Sequence, residues 1–210
     1  KQVTIIPFGG GTTVTQSLLV PENEKRMVIS VDTHEMNKIL WVDKKNMMAC
    51  IQAGVTGKQV HELLEPYGVT LGHEPDSYEL STMGGWVATR ASGMKKNKYG
   101  NIEDFLLDAK VVTPMGTFHQ GKHERKSTGP DLKHLFMGSE GTLGIVTDCV
   151  VKVLDMPKFK KYGSIVFPTF QDGVDCMHEV HNKQINPACM RLVDNVNFRM
   201  GGALKEKLGG

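Results

Sequence analysis

Gly9, Gly10 and Gly11 form an unbroken run after the apolar stretch QVTIIPF, and Thr12 and Thr13 follow directly. A turn without side chains lets consecutive backbone N–H groups point inward at a phosphate or pyrophosphate, and threonine hydroxyls add donors. The same composition also suits a plain turn, and the loop alone does not separate the two readings. No Gly-Lys-Ser/Thr follows, so the run is not a P-loop. Thr13 and Val14 fill the spacing where G-x-G-x-x-G needs its last glycine. A standard nucleotide kinase and a Rossmann-type dehydrogenase are therefore disfavoured.

Two further stretches carry similar chemistry. HEPDSYELSTMGGWVATRASG, from His73 to Gly93, combines hydroxyls, an acidic pair and close-approach glycines, and GSEGTLGIVT, from Gly138 to Thr147, repeats the pattern ahead of a β-rich run. Three such loops could converge on one long ligand, or each could be a turn between strands. Asp76 and Glu79 suit hydrogen bonding in a Ser-rich loop better than acid–base catalysis. His73 reads as a solvated or structural histidine, and His178 and His181 as surface or packing residues of a helix. No His, Cys or carboxylate pair has ligand spacing, so no metal site is expected.

The elements that must position these loops follow from periodicity. QVTIIPF reads as a buried strand and RMVISVD as a second. KILWVDKKNMMACIQAG reads as a hairpin around Lys44-Lys45-Asn46. Thr56 and Gln59 have capping-box spacing, and Val60, Leu63, Leu64 and Tyr67 share one helix face, which Gly68 ends. A helix of small residues opens after Ser81 or Thr82. DFLLDAKVVTPMGTFHQ reads as strand, turn and strand, PDLKHLF as a short helix, and EGTLGIVTDCVVKVL as a β-rich segment. After the DMPKFKK linker come a strand (YGSIVFP), a helix carrying Phe170, Val174, Met177 and His181, and another strand (ACMRLVD) that holds Arg191. An arginine on such an alternating strand is ordinarily a surface or salt-bridge residue.

The 210 residues, 40% of them hydrophobic, suffice for one core and part of another. Lys plus Arg number 25 against 23 Asp plus Glu, which gives no field for nucleic acid. The clusters at Lys95, Lys96 and Lys98 and at Lys122–Lys126 read as solvated loop charge. Four dispersed cysteines fit a reducing compartment rather than a disulfide framework. No apolar run is long enough to span a bilayer, and no signal peptide is visible. A chain that opens on Lys directly into a strand is expected to be a piece of a longer protein.

GGGTTV, MGGWVATRASG, YGNIEDFLLDAKVVTPMG and GPDLKHLFMGSEGTLGIVTDCVVKV resemble, in order and spacing, successive blocks of the vanillyl-alcohol-oxidase-type (PCMH) FAD-binding family. GHEPDS and TRASGMKKNKYGNIED resemble its ether-lipid-forming branch. The D-lactate and glycolate dehydrogenase relatives more typically carry Asn-Ala at the place of Arg90-Ala91. The resemblance implies an α+β fold: a two-lobed FAD-binding domain over residues 1–156, lacking its first strands, then the truncated start of an α+β substrate domain over 157–210.

Four strips are implied to hold FAD in a groove between two lobes. Pro7, Phe8, Gly9, Gly10, Gly11, Thr12 and Thr13 would hold the pyrophosphate. Pro75, Asp76, Ser77, Tyr78, Glu79, Leu80 and Ser81 would form a second strip, and Ala88, Thr89, Arg90 and Ala91 a third. Glu140, Gly141, Thr142, Leu143, Gly144, Ile145 and Val146 would bind toward the adenine side. Some relatives tether FAD through a His just after the glycines; Thr12 and Thr13 stand here, so FAD is expected to be non-covalent. Arg191 falls where the family carries an activity-important arginine. The implied reaction exchanges the acyl group of acyl-dihydroxyacetonephosphate for a long-chain fatty alcohol without net redox change, on residues that include a Tyr and a His cluster beyond Gly210. The alternatives are a 2-hydroxy-acid dehydrogenase of the same fold and a non-catalytic phosphate-binding module. Also implied are a homodimer, peripheral membrane contact and a peroxisomal location.

Overall fold

The computed structural model describes residues 2–119 and 127–207, so the Lys122–Lys126 cluster lies outside the described residues. The chain divides into two compact units, Lys1–Pro157 and Lys158–Gly210. In the first unit, β1 (Val3–Phe8) pairs in parallel with β2 (Met27–Asp32). β3 (Ile39–Asp43) and β4 (Met48–Gln52) form the expected hairpin around Lys44–Met47.

β1 is less buried than its composition suggests: Val3 is 38% and Ile5 53% exposed. Register explains this, because Val3 lies opposite Met27 and Ile5 opposite Ile29, so one apolar face of the two-stranded sheet is exposed.

α1 (Gly57–Leu64) begins with the reciprocal capping box of Thr56 and Gln59. Pro66 converts its continuation into a 3₁₀ turn over Glu65–Tyr67, and Gly68 ends it at φ 68°. Val60 and Leu64 are buried; Leu63 and Tyr67, assigned to the same face, are largely exposed. The two-residue strand β5 (Val69–Thr70) leads into the central loop.

α2 (Met83–Thr89) is capped by Thr82, whose hydroxyl accepts from the Gly85 amide. Short helices α3 (Lys96–Tyr99) and α4 (Ile102–Phe105) lead to β6 (Leu106–Thr113) and β7 (Gly116–Phe118). α5 (Leu132–Phe136) precedes β8 (Ile145–Lys152), and β9 (Leu154–Asp155) pairs with β5.

The large sheet runs β3-β4-β8-β6-β7, antiparallel throughout. α2 packs on its β4–β8 region, where Gly84 approaches Ala53: a Cβ on Gly84 would lie 2.7 Å from the Ala53 Cβ. Trp86, Ile51, Leu64, Met83, Ile102 and Leu106 are sealed in this core. Truncating Trp86 to alanine there costs about 3–5 kcal/mol.

The second unit holds α6 (Phe170–Asn182), with a Thr169–Asp172 capping box, and α7 (Asn195–Lys207). The strands expected at YGSIVFP and ACMRLVD do not form. Neither segment pairs with another strand among the described residues, and without a ladder an alternating sequence remains irregular. Each sends one side chain against α6, where Phe167 and Leu192 meet Gly173, while Tyr162, Ile165 and Val166 stay exposed. All four cysteines are free thiols, with Cys50 and Cys149 buried.

Candidate functional site

A groove of about 340 Å³ in the first unit gathers segments far apart in sequence. Pro7 to Thr13 line it completely. From the second strip Pro75, Ser77 and Ser81 face it, from the third Ala88, Thr89 and Ala91, and from the fourth Glu140, Gly141, Gly144, Ile145 and Val146.

The other residues of these strips lie outside the lining, each for a visible reason. Asp76, Tyr78, Glu79 and Leu80 belong to a turn whose backbone backs the groove: the Leu80 carbonyl abuts Gly10 and the Tyr78 carbonyl abuts Gly57. Arg90 ends α2 in the left-handed conformation, φ 49°, and its Nε lies 3.7 Å from Glu103. Thr142 turns its hydroxyl to the Ser139 carbonyl, and Leu143 is 43% exposed. Arg191 belongs to the second unit, where it is exposed.

Sequence reading missed several lining residues, notably Val14, Thr15, Ser17, Thr33, Thr82 and Trp86. The glycine pair at Gly84-Gly85 signalled that this helix comes close to something, and its N-terminal turn does line the groove. Nothing in sequence marks Trp86 as a wall. Its indole N–H donates to the Ser81 hydroxyl at 2.8 Å, so it fixes the second strip as well as filling the core.

His73 lies behind that wall. Its ring meets Trp86 edge-on at 4.8 Å and Phe105 at 5.0 Å, and neither ring nitrogen has a hydrogen-bond partner. Burial pushes its pKa down to about 4, so the imidazole is neutral and structural.

The groove fits a polyanion without using cations. Among the described residues, Glu140 is the one charged residue in its lining. Among the described residues, the amides of Gly10, Gly11, Thr12 and Thr13 and the hydroxyls of Thr12 and Ser77 donate to nothing in the protein. Gly10 is required where it stands, since a Cβ would sit 2.0 Å from the Leu80 carbonyl oxygen. Gly141 packs on the Pro7 ring, which would lie 2.9 Å from a Cβ at this position. Unpartnered donors on a side-chain-free loop are what a pyrophosphate needs.

A mixed fold whose glycine cradle opens onto a largely apolar groove fits a ligand that joins a pyrophosphate to flat rings, the chemistry of a dinucleotide-binding protein. A family model described as FAD binding domain matches residues 1–121, and one described as FAD linked oxidases, C-terminal domain, matches residues 156–208. The chain belongs to the FAD-binding-domain family, and FAD is its cofactor.

An alkyldihydroxyacetonephosphate synthase of Caenorhabditis elegans is 51% identical over 96% of this chain and 34% of its own length. A solved structure of an alkyldihydroxyacetonephosphate synthase superposes with a TM-score of 0.83 at 42% identity, covering 89% of this chain and 34% of the other. The D-lactate dehydrogenase of Archaeoglobus fulgidus is more distant, 31% identical over 100% of this chain and 45% of its own length. The chain thus spans about a third of the length of the synthases it matches.

Proposed function

We propose that this chain is the cofactor-binding part of an alkyldihydroxyacetonephosphate synthase, which replaces the acyl group of acyl-dihydroxyacetonephosphate by a long-chain fatty alcohol. The observation that carries the reading is the identity gap, 51% to a synthase against 31% to a D-lactate dehydrogenase over equally complete alignments of this chain. Bound FAD supplies an electron-accepting ring able to activate the substrate carbon without net redox change.

The residues of this chain bind and orient. The amides of Gly10 to Thr13 would hold the pyrophosphate, with the Thr12 and Ser77 hydroxyls as further donors. The Trp86–Ser81 pair stiffens one wall and keeps water out of the core behind it. Thr12 and Thr13 offer no nucleophile suited to a flavin tether, so FAD is held by hydrogen bonds; acid precipitation releases it into the supernatant. Arg191 is a guanidinium suited to a substrate phosphate.

The test uses the complete FAD-loaded polypeptide. Incorporation of radiolabelled fatty alcohol into an alkali-stable ether lipid is the expected result. Flavin bleaching by D-lactate or glycolate with a dye acceptor, without that incorporation, would establish the dehydrogenase reading instead.

A further inference from the structure

Glu140 poses a problem for a groove that receives a pyrophosphate, because it places a carboxylate among the donors. Its backbone is unusual as well: φ is 50°, a left-handed conformation that carries a steric cost for a residue with a Cβ. The amide is fixed by the Ala88 carbonyl at 2.8 Å. The side chain accepts a hydrogen bond from the Thr15 hydroxyl at 3.1 Å, across a sequence separation of 125 residues. The neighbouring Gly141 lies against Pro7. The glycine loop therefore leaves β1 at a residue packed on Gly141 and returns at a residue bonded to Glu140. Both of its ends are attached to one dipeptide.

We infer that Glu140 is a positioning residue, which acts through Thr15 to hold the glycine loop in its anion-binding shape before the cofactor arrives. Resting on the FAD reading of the groove, this gives the carboxylate a role that needs no contact with the ligand. A loop from Pro7 to Thr15 containing three successive glycines has much conformational freedom to lose on binding, and pinning its far end removes part of that cost beforehand.

Hydrogen-bond direction supports the assignment. A hydroxyl has one proton, and Thr15 donates its own to Glu140, so Thr13, 3.0 Å away, donates to Thr15. The chain of bonds runs Thr13 to Thr15 to Glu140. It consumes the side-chain protons of both threonines and leaves the amides of Gly10 to Thr13 and the Thr12 hydroxyl for the phosphates. The Thr15–Glu140 link uses no donor that the cofactor needs, so it persists when the groove fills.

The experiment compares Thr15→Val, Glu140→Ala, their combination and Glu140→Gln in the complete polypeptide. Cleavage within residues 9–18 by a protease of broad specificity is followed in the FAD-free protein, and FAD affinity by flavin fluorescence. Thr15→Val is nearly isosteric at an exposed position and leaves the core untouched. The expected result is faster cleavage in the loop and FAD binding weakened about tenfold in either single variant. The double variant is no worse than the singles, because both remove one link. Glu140→Gln keeps the acceptor and removes the charge, so it binds FAD at least as well as the parent. Additive losses in the double variant, unchanged cleavage of the loop, or a Glu140→Gln as weak as Glu140→Ala would overturn the inference. Failure of the parent protein to take up FAD would overturn the cofactor reading instead, and the cleavage data from the FAD-free protein would still decide the role of Glu140.

Discussion

Replacing Gly10 by alanine tests the contact between the glycine loop and the segment behind it. A Cβ built on Gly10 lies 2.0 Å from the Leu80 carbonyl oxygen, 2.6 Å from its carbon and 2.9 Å from Ser81 Cα. All three are backbone atoms, so no rotamer change relieves the overlap. The two segments have to part by about 1 Å before the contact is tolerable, which places the substitution at the costly end of overpacking, about 3 kcal/mol. The loop yields before the core does, since Leu80 and Ser81 are tied through Trp86 and the Ser77 carbonyl. The displaced amides then miss the pyrophosphate, and FAD affinity falls roughly a hundredfold. Titration of the apoprotein with FAD, read by quenching of flavin fluorescence, measures this directly. Gly163→Ala is the control, because a Cβ there meets nothing within 4 Å. A Gly10→Ala protein that binds FAD within threefold of the parent would refute the argument that the loop is an anion cradle shaped by this contact.

Thr82→Val removes the cap of α2 at a position only 1% exposed; it lowers stability by about 1 kcal/mol, read as a shift in the urea midpoint. His73 gives a pH dependence whose sign follows from burial. Its folded pKa of about 4 lies below the usual 6.5, so its share of stability is complete above pH 6.5 and is lost as pH falls toward 4. His73→Phe flattens the stability profile in that window, while an unchanged profile would show that other groups govern acid unfolding. Arg191→Lys keeps the charge but loses the planar donor fork; on the proposed phosphate role turnover falls about tenfold with FAD content unchanged, and full turnover would refute that role.

Sequence legibility followed the range of the interaction concerned. The Thr56–Gln59 box, the Gly68 stop and the Lys44–Met47 hairpin depend on residues within a few positions, and each was readable from residue type alone. The glycine strips were visible because close approach demands glycine, although the partner of each approach was not: Leu80 for Gly10, Pro7 for Gly141. Within the strips, reading whole segments overextended the site, since a turn sends alternate residues to different sides; Tyr78 and Leu80 support the groove while Ser77 and Ser81 line it. Two strands were assigned in the second unit from alternation, yet a strand exists only with a partner, and alternation does not report partners. Thr15 and Glu140, separated by 125 residues, carry no local signal of their bond.

The strand order has a consequence for synthesis. β8 is the last long strand of the first unit to leave the ribosome, yet it lies in the middle of the sheet, between β4 and β6. Ala49, paired with Val42 in the hairpin, waits for Val151 before its other edge is paired. At a translation rate of roughly 5–20 residues per second that gap lasts on the order of 5–20 s, with two apolar strand edges unpaired meanwhile. The Glu140–Gly141 turn emerges immediately before β8, so the final wall of the groove and the central strand of the sheet arrive together. Completion of the sheet and completion of the groove lining are therefore one event.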